Sequence, residues 1–163
     1  NKFPNYKLYL VGGWNYDTPF HLKLIHEYGL AERVFWMKEY ARDHIPQIIC
    51  HADLLVLPRP NSKQAQGGFP TKLGEYLATG NPVCATRVGE IPDYLTDNES
   101  VFFAEPGSVE LFAEAIDRAL GNPSKARKVG ETGKKVAEQE FNMDKQAIKL
   151  YDFLKEMSGN FME

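Results

Sequence analysis

The chain has 163 residues, 43% hydrophobic and 25% charged, the proportions of one globular domain that buries roughly 70% of its unfolded surface. A formal net charge of −3 argues against the clustered Lys and Arg excess of a nucleic-acid footprint, while leaving room for a locally positive site on a small anion. No apolar run approaches the roughly 20 residues that cross a bilayer, and the N-terminal stretch does not read as a signal peptide; the compartment expected is the cytoplasm, with the inner face of the membrane as an alternative.

Tyr6 to Val11 is a short apolar strand stopped by Gly12-Gly13. Because the chain opens on Asn1 and runs at once into this strand, it reads as a piece cut from a longer protein. A helix follows from about Phe20 to Tyr28, with Leu22, Ile25 and His26 on one side and Gly29 as its stop. Arg33 to Met37 is a second strand, Asp43 to Cys50 a short helix, and Leu54 to Leu57 an apolar strand closed by Pro58. Uninterrupted apolar strands are typical of parallel sheets covered on both faces. Arg59 to Gly68 is polar and reads as a loop. Thr71 to Thr79 is a helix ended by Gly80, Pro82 to Thr86 a strand, Pro92 to Leu95 a helical turn and Val101 to Phe103 a strand. Three helices close the chain: Val109 to Leu120 with Phe112, Ile116 and Ala119 on one face, a charged one from Pro123, and Met143 to Met157. In the last, Ala147, Leu150, Tyr151 and Leu154 fall at amphipathic spacing. Strands alternating with helices predict an α/β, Rossmann-like, doubly wound parallel sheet with helices on both faces, in one domain over residues 1–163.

Cys50 and Cys84 sit in apolar stretches and are expected as reduced, buried thiols. Neither they nor His21, His26, His44 and His51 show metal-ligand spacing, so no metal is expected. Trp14, Tyr16 and Phe20 read as loop packing, with stacking on a base as the alternative.

In open α/β sheets ligands bind beyond the carboxyl ends of the strands. The segments there are Gly12-Gly13, Lys38 to Ala41, Pro58 to Pro70 and Arg87 to Pro92. The richest is Arg59 to Glu75. Gly67-Gly68 permits close backbone approach and unusual dihedrals, and a helix then begins near Thr71 with free N–H groups and a positive dipole end. Lys72 puts a cation in a first turn that would ordinarily favour an acid, which an anion offsets. Glu75 lies about 5 Å further along the helix, where a carboxylate can accept hydrogen bonds from two sugar hydroxyls. Phosphate at the helix tip with Glu75 on a ribose is a nucleotide-binding arrangement; a plain tight turn with solvated Lys72 and Glu75 is the bland alternative.

The string QGGFPTKLGEYLATGNPVCAT, Gln66 to Thr86, resembles the signature of the group 1 glycosyltransferases, a nucleotide-sugar family of GT-B architecture. Further ordered pieces resemble it too: Tyr6 to Gly13, Gly29 to Val34, Ala52-Asp53 with Leu57-Pro58, Val88 to Pro92, and Phe141-Asn142. The resemblance implies the C-terminal, donor-binding half of an enzyme that moves a sugar from a nucleotide diphosphate sugar, UDP- or GDP-linked, to an acceptor hydroxyl. It implies retention of configuration, a role in polysaccharide or glycoconjugate biosynthesis, and no metal or other cofactor. By position, Glu75 would hold the ribose, the backbone of Thr71, Lys72 and Leu73 the diphosphate, Gly68 and Phe69 the phosphates and donor sugar, and Lys38 would approach the base; Arg59 belongs to the same donor loop. No catalytic group can be assigned.

Three departures accompany the resemblance. The first of the family's two glutamates would fall at Gly67 and is absent, with Gln66 adjacent. The first strand and loop of the family's donor half precede this chain, which predicts strain, a rearranged sheet or a partner chain filling the gap. The acceptor half is also absent, so an acceptor sugar or lipid-linked sugar would bind elsewhere, and the last helix is expected to expose an apolar face open to self-association. Half of a nucleotide-sugar epimerase and a non-catalytic nucleotide-binding or interaction domain are the alternative readings.

Overall fold

Every strand pairing among the described residues is parallel. The structure is a computed structural model that describes residues 2–37 and 40–159. Its elements are β1 (Leu8–Val11), α1 (Thr18–Glu27), β2 (Val34–Met37), α2 (Ile45–Cys50), β3 (Leu55–Leu57), α3 (Lys63–Gln66), α4 (Thr71–Ala78), β4 (Val83–Thr86), α5 (Ile91–Tyr94), β5 (Phe102–Ala104), α6 (Val109–Gly121), α7 (Pro123–Glu140) and α8 (Met143–Gly159). The chain falls into two compact units, Asn1–Pro46 and Gln47–Glu163. No helix of the described residues is long and apolar enough to cross a membrane.

In the first unit β1 pairs with β2 from Leu8↔Val34 to Val11↔Met37. The Arg33 guanidinium donates to the carbonyls of Phe3 and Tyr6, anchoring the chain ahead of β1. Asn15 and Thr18 hydrogen-bond to each other before α1, and Gly29, at φ 63°, ends that helix as its sequence position predicts. Trp14, Tyr16 and Phe20 are 58%, 96% and 59% exposed, which corrects the expectation of loop packing. Their segment folds through the Asn15–Thr18 polar contact, so the rings are left outward.

The second unit holds a sheet in the order β3-β4-β5. Its pleat alternates side chains between two apolar clusters. Leu55, Val83, Ala85 and Phe103 pack with Leu73 and Leu77 of α4 and with Ile91 of α5. Leu54, Val56, Cys84, Phe102 and Ala104 pack with Phe112, Ala115, Ile116 and Ala119 of α6. α7 reaches both clusters, through Ala126 and Val129 to one and Ala137 to the other. Gly130 lets it pass the α4–β4 turn, where a Cβ would lie 2.3 Å from the Gly80 carbonyl oxygen. β4 is buried throughout because it has a strand on each side and helices on both faces.

The five strands form two separate sheets, so β3 has β4 as its one neighbour among the described residues. Three local expectations change. Lys63–Gln66 is helical rather than loop, because the Ser62 hydroxyl caps it by accepting from the Ala65 N–H at 3.1 Å and Ala65 is buried. Cys50 is exposed and only Cys84 is buried; successive helical residues point about 100° apart, so Ile49 packs inward while Cys50 does not. Burial pushes the Cys84 thiol up to about 12, with Arg118 opposing and Asp97 adding to the shift; the sulfur is a packing group at neutral pH. Third, Gly67 and Gly68 are not in the left-handed region, which is occupied by Gly29, Gly80, Gly89 and Gly107. The pair serves close approach instead: a Cβ on Gly68 would meet the Gln64 carbonyl oxygen at 3.2 Å.

Candidate functional site

The carboxyl ends of β3 and β4 carry the segments Pro58 to Pro70 and Arg87 to Ile91, and α4 begins behind the first of them. Arg59 leaves β3 with its N–H 2.9 Å from the Thr86 hydroxyl, and that hydroxyl donates back to the Arg59 carbonyl at 2.8 Å. The Arg59 Nη1 then donates to the Gly68 carbonyl at 3.0 Å. At the other end of α3, the Gln66 carboxamide donates to Asn61 Oδ1 at 2.7 Å and accepts from the Gly89 N–H at 3.2 Å. Gly89 is glycine of necessity: its φ is +57°, and a Cβ would fall 2.6 Å from the Ala65 carbonyl oxygen.

α4 starts after Pro70, which offers no side-chain cap, and its first turn holds no acid. The N–H groups of Gly68, Phe69, Thr71 and Lys72 have no acceptor among the described residues, whereas Leu73 N–H is satisfied by the Pro70 carbonyl. Lys72 and Glu75 are exposed, and neither has an ion-pair or hydrogen-bond partner among the described residues. One turn of helix therefore presents open N–H donors, a free ammonium and, further along, a free carboxylate. Leu73 and Leu77 fix this helix by inserting fully into the core. Burial, and then the Glu75 charge, raise the pKa of the neighbouring Tyr76 phenol.

The sequence-derived candidates Arg59, Gly68, Phe69, Thr71, Lys72, Leu73 and Glu75 thus all fall on one loop and the helix behind it. The Phe69 ring packs edge-on to Tyr94 at 5.6 Å and tilted on Phe141 at 4.8 Å, which leaves its backbone to face the loop. Leu73 contributes a buried side chain that holds α4 in place. Lys38 lies outside the described residues, and Gly12-Gly13 end β1 in the first unit. Sequence reasoning missed Thr86, whose partner is 27 positions away, and Gln66 proves to be a loop brace.

The family model described as glycosyl transferases group 1 matches residues 1–136. The GDP-mannose-dependent alpha-(1-6)-phosphatidylinositol monomannoside mannosyltransferase of Mycobacterium tuberculosis is 28% identical over 150 residues, which is 91% of this chain and 39% of that protein. The MMP alpha-(1->4)-mannosyltransferase of Mycolicibacterium hassiacum is 25% identical over 121 residues, 74% of this chain and 28% of that protein. The chain therefore spans well under half the length of these curated relatives. Among solved structures, sucrose-phosphate synthase from Thermosynechococcus elongatus superposes with a TM-score of 0.83 at 24% identity, covering 98% of this chain and 40% of that one. Anabaena HepE in complex with UDP gives 0.77 at 21% identity, covering 94% and 42%. These likenesses share the α/β fold of parallel strands flanked by helices. With the family model matched over most of its length, the chain belongs to the group 1 glycosyl transferases.

Proposed function

We propose that this chain is the donor-binding half of a glycosyltransferase that moves a sugar from a nucleotide diphosphate sugar to an acceptor hydroxyl, with retention of configuration. The observation that carries the reading is the first turn of α4, where open N–H groups and the free Lys72 ammonium stand one turn ahead of the free Glu75 carboxylate. When the glycosidic bond to the diphosphate breaks, negative charge grows on the leaving group, and fixed donors aimed at that charge lower the barrier. The backbone of Gly68, Phe69, Thr71 and Lys72 holds the diphosphate and Glu75 the ribose hydroxyls, with Arg59 beside the phosphates; no metal is needed in this scheme. The names of the mycobacterial relative and of the UDP-bound Anabaena structure support a UDP- or GDP-linked donor.

An N-terminal half outside this chain binds the acceptor, a sugar or lipid-linked sugar, in polysaccharide or glycoconjugate assembly in the cytoplasm or at the inner face of the membrane. The phosphatidylinositol monomannoside in the relative's name supports a lipid-linked acceptor. A non-catalytic nucleotide-binding role is favoured by one observation: Gln66, the residue beside the absent family glutamate, has its carboxamide engaged with Asn61 and Gly89.

Calorimetric titration of the chain with UDP, GDP and ADP tests the reading. One nucleotide binds at millimolar affinity or better, and Glu75→Ala weakens it about tenfold, the loss of one charged hydrogen-bonding group. No heat from any of the three overturns it. Donor cleavage by the full-length enzyme then separates the transferase from the non-catalytic reading.

A further inference from the structure

The bonds around Thr86 do more than close a sheet end. We infer that Thr86 and Arg59 form a two-step latch that sets the Gly67-Gly68 backbone at the distance from α4 that an anion requires; the functional part of this inference rests on the donor-site reading. Thr86 is 5% exposed, and its hydroxyl both accepts from the Arg59 N–H and donates to the Arg59 carbonyl. A hydroxyl used in both directions on one residue has its rotor fixed and fixes that residue in return. Arg59 is thereby held at the tip of β3 with its guanidinium turned to the loop, where Nη1 takes the Gly68 carbonyl.

The consequence falls on the peptide group itself. A carbonyl pinned from one side fixes the plane of its peptide, and that plane directs the following N–H, Phe69's, which has no acceptor among the described residues. The Gln66 brace to Asn61 and Gly89 holds the opposite end of the loop. Between the two anchors lie the open N–H groups of Gly68 and Phe69, held in place before any ligand arrives. Pre-set donors bind an anion without the ordering cost that a mobile glycine loop would incur. Arg59 and Thr86 are positioning residues in this scheme: Thr86 acts through Arg59, and Arg59 through the Gly68 peptide.

Thr86→Val keeps the side-chain shape and removes the hydroxyl, Thr86→Ser keeps the hydroxyl, and Arg59→Met keeps the stem without the guanidinium. The latch predicts that Thr86→Val and Arg59→Met each weaken nucleotide binding about tenfold, roughly one hydrogen bond. Thr86→Ser binds like the parent. The double variant Thr86→Val/Arg59→Met is no weaker than the weaker single variant, because both break one chain of contacts. Parent-like binding by Thr86→Val, or additive losses in the double variant, overturns the latch, and Arg59 is then a direct phosphate ligand. Amide hydrogen exchange reads the latch without any ligand. In Thr86→Val, exchange at Gln66 and Gly67, whose N–H groups are bonded to the Ser62 and Lys63 carbonyls, accelerates about tenfold or more, while Leu77 and Val83 exchange as in the parent. Unchanged loop exchange overturns the latch whatever the nucleotides do. Accelerated exchange in a chain that binds no nucleotide sinks the donor-site reading and leaves the latch as a device of the fold.

Discussion

Asn1–Pro46 and Gln47–Glu163 both rest on parallel strands joined through helices, yet they bury their apolar residues to very different degrees. In the first unit Thr18 is the one buried residue among those described, and Leu8, Tyr9 and Val11 of β1 remain exposed. In the second, three strands carry helices on both faces and the apolar side chains collect in two clusters. A two-stranded pair with one helix cannot bury both of its faces, and an isolated pair is marginal on its own. The folding energy of the chain therefore sits in the second unit, which also carries the candidate site. Its loop and helix hang from β3, β4 and α4, whose inward side chains are held by the deeper core.

Matched truncations give the largest test of that contrast. Leu77→Ala removes a fully buried side chain from beneath the site and is expected to cost about 3–5 kcal/mol. Tyr9→Ala removes a ring that is 52% exposed and stacked on Phe35 at 5.3 Å, for about 1 kcal/mol or less. Urea unfolding followed by circular dichroism compares them. Equal losses would mean that β1 and β2 share the stability of the larger core.

Matched glycines give a smaller contrast. In Gly130→Ala the new Cβ would sit 2.3 Å from the Gly80 carbonyl oxygen and 2.7 Å from the Asn81 carbonyl carbon, so α7 must move away from the α4–β4 turn. Overpacking of this kind costs about 1–3 kcal/mol. A Cβ on Gly12 meets nothing within 4 Å, and its φ is not positive. Gly12→Ala is therefore expected to be neutral or to stabilise by about 0.4 kcal/mol through the unfolded chain. Thermal midpoints of the two variants against the parent check the pair, and a stable Gly130→Ala would show that the α7 contact is looser than its geometry.

Much of this architecture was legible because its signals are local. Gly29 and Gly80 stop α1 and α4 in left-handed conformations, and Asn142 caps α8 by accepting from the Lys145 N–H at 3.1 Å. The alternation of apolar strands with helices gave the parallel pairing. The candidate site was visible as a string from Arg59 to Glu75 because its donors come from consecutive backbone. What stayed hidden depends on partners far along the chain. Arg59 meets Thr86, and Gln66 meets Gly89 23 positions on; no periodicity announces either pair. The four-residue α3 was hidden by its polarity, since only Ala65 of it is buried, although Ser62 ahead of it was an N-cap signal. Cys50 was misjudged because the apolar neighbours Ile48 and Ile49 describe a stretch of sequence, whereas burial follows a face of the helix.

The smallest expected stability effect concerns α8, where the contrast is within the second unit. Its apolar stripe was expected from the spacing of Ala147, Leu150, Tyr151 and Leu154. In the structure Leu150, Tyr151, Phe153 and Leu154 are 58%, 65%, 57% and 56% exposed. α6 and α7 place such residues in the core, but no described residue of α8 belongs to either apolar cluster. A stripe of this width exposed to water favours association with another apolar surface, and we propose that in this chain alone it pairs with a second copy. Leu150→Lys with Leu154→Lys should change the unfolding free energy by about 0.5 kcal/mol or less, since little is buried there. The same pair should abolish concentration-dependent association in sedimentation velocity, because a charged ammonium brought into an apolar contact lacks a partner. Association that survives the double variant would assign self-pairing to another face, and the exposed Leu8, Tyr9 and Val11 of β1 would be the next to change.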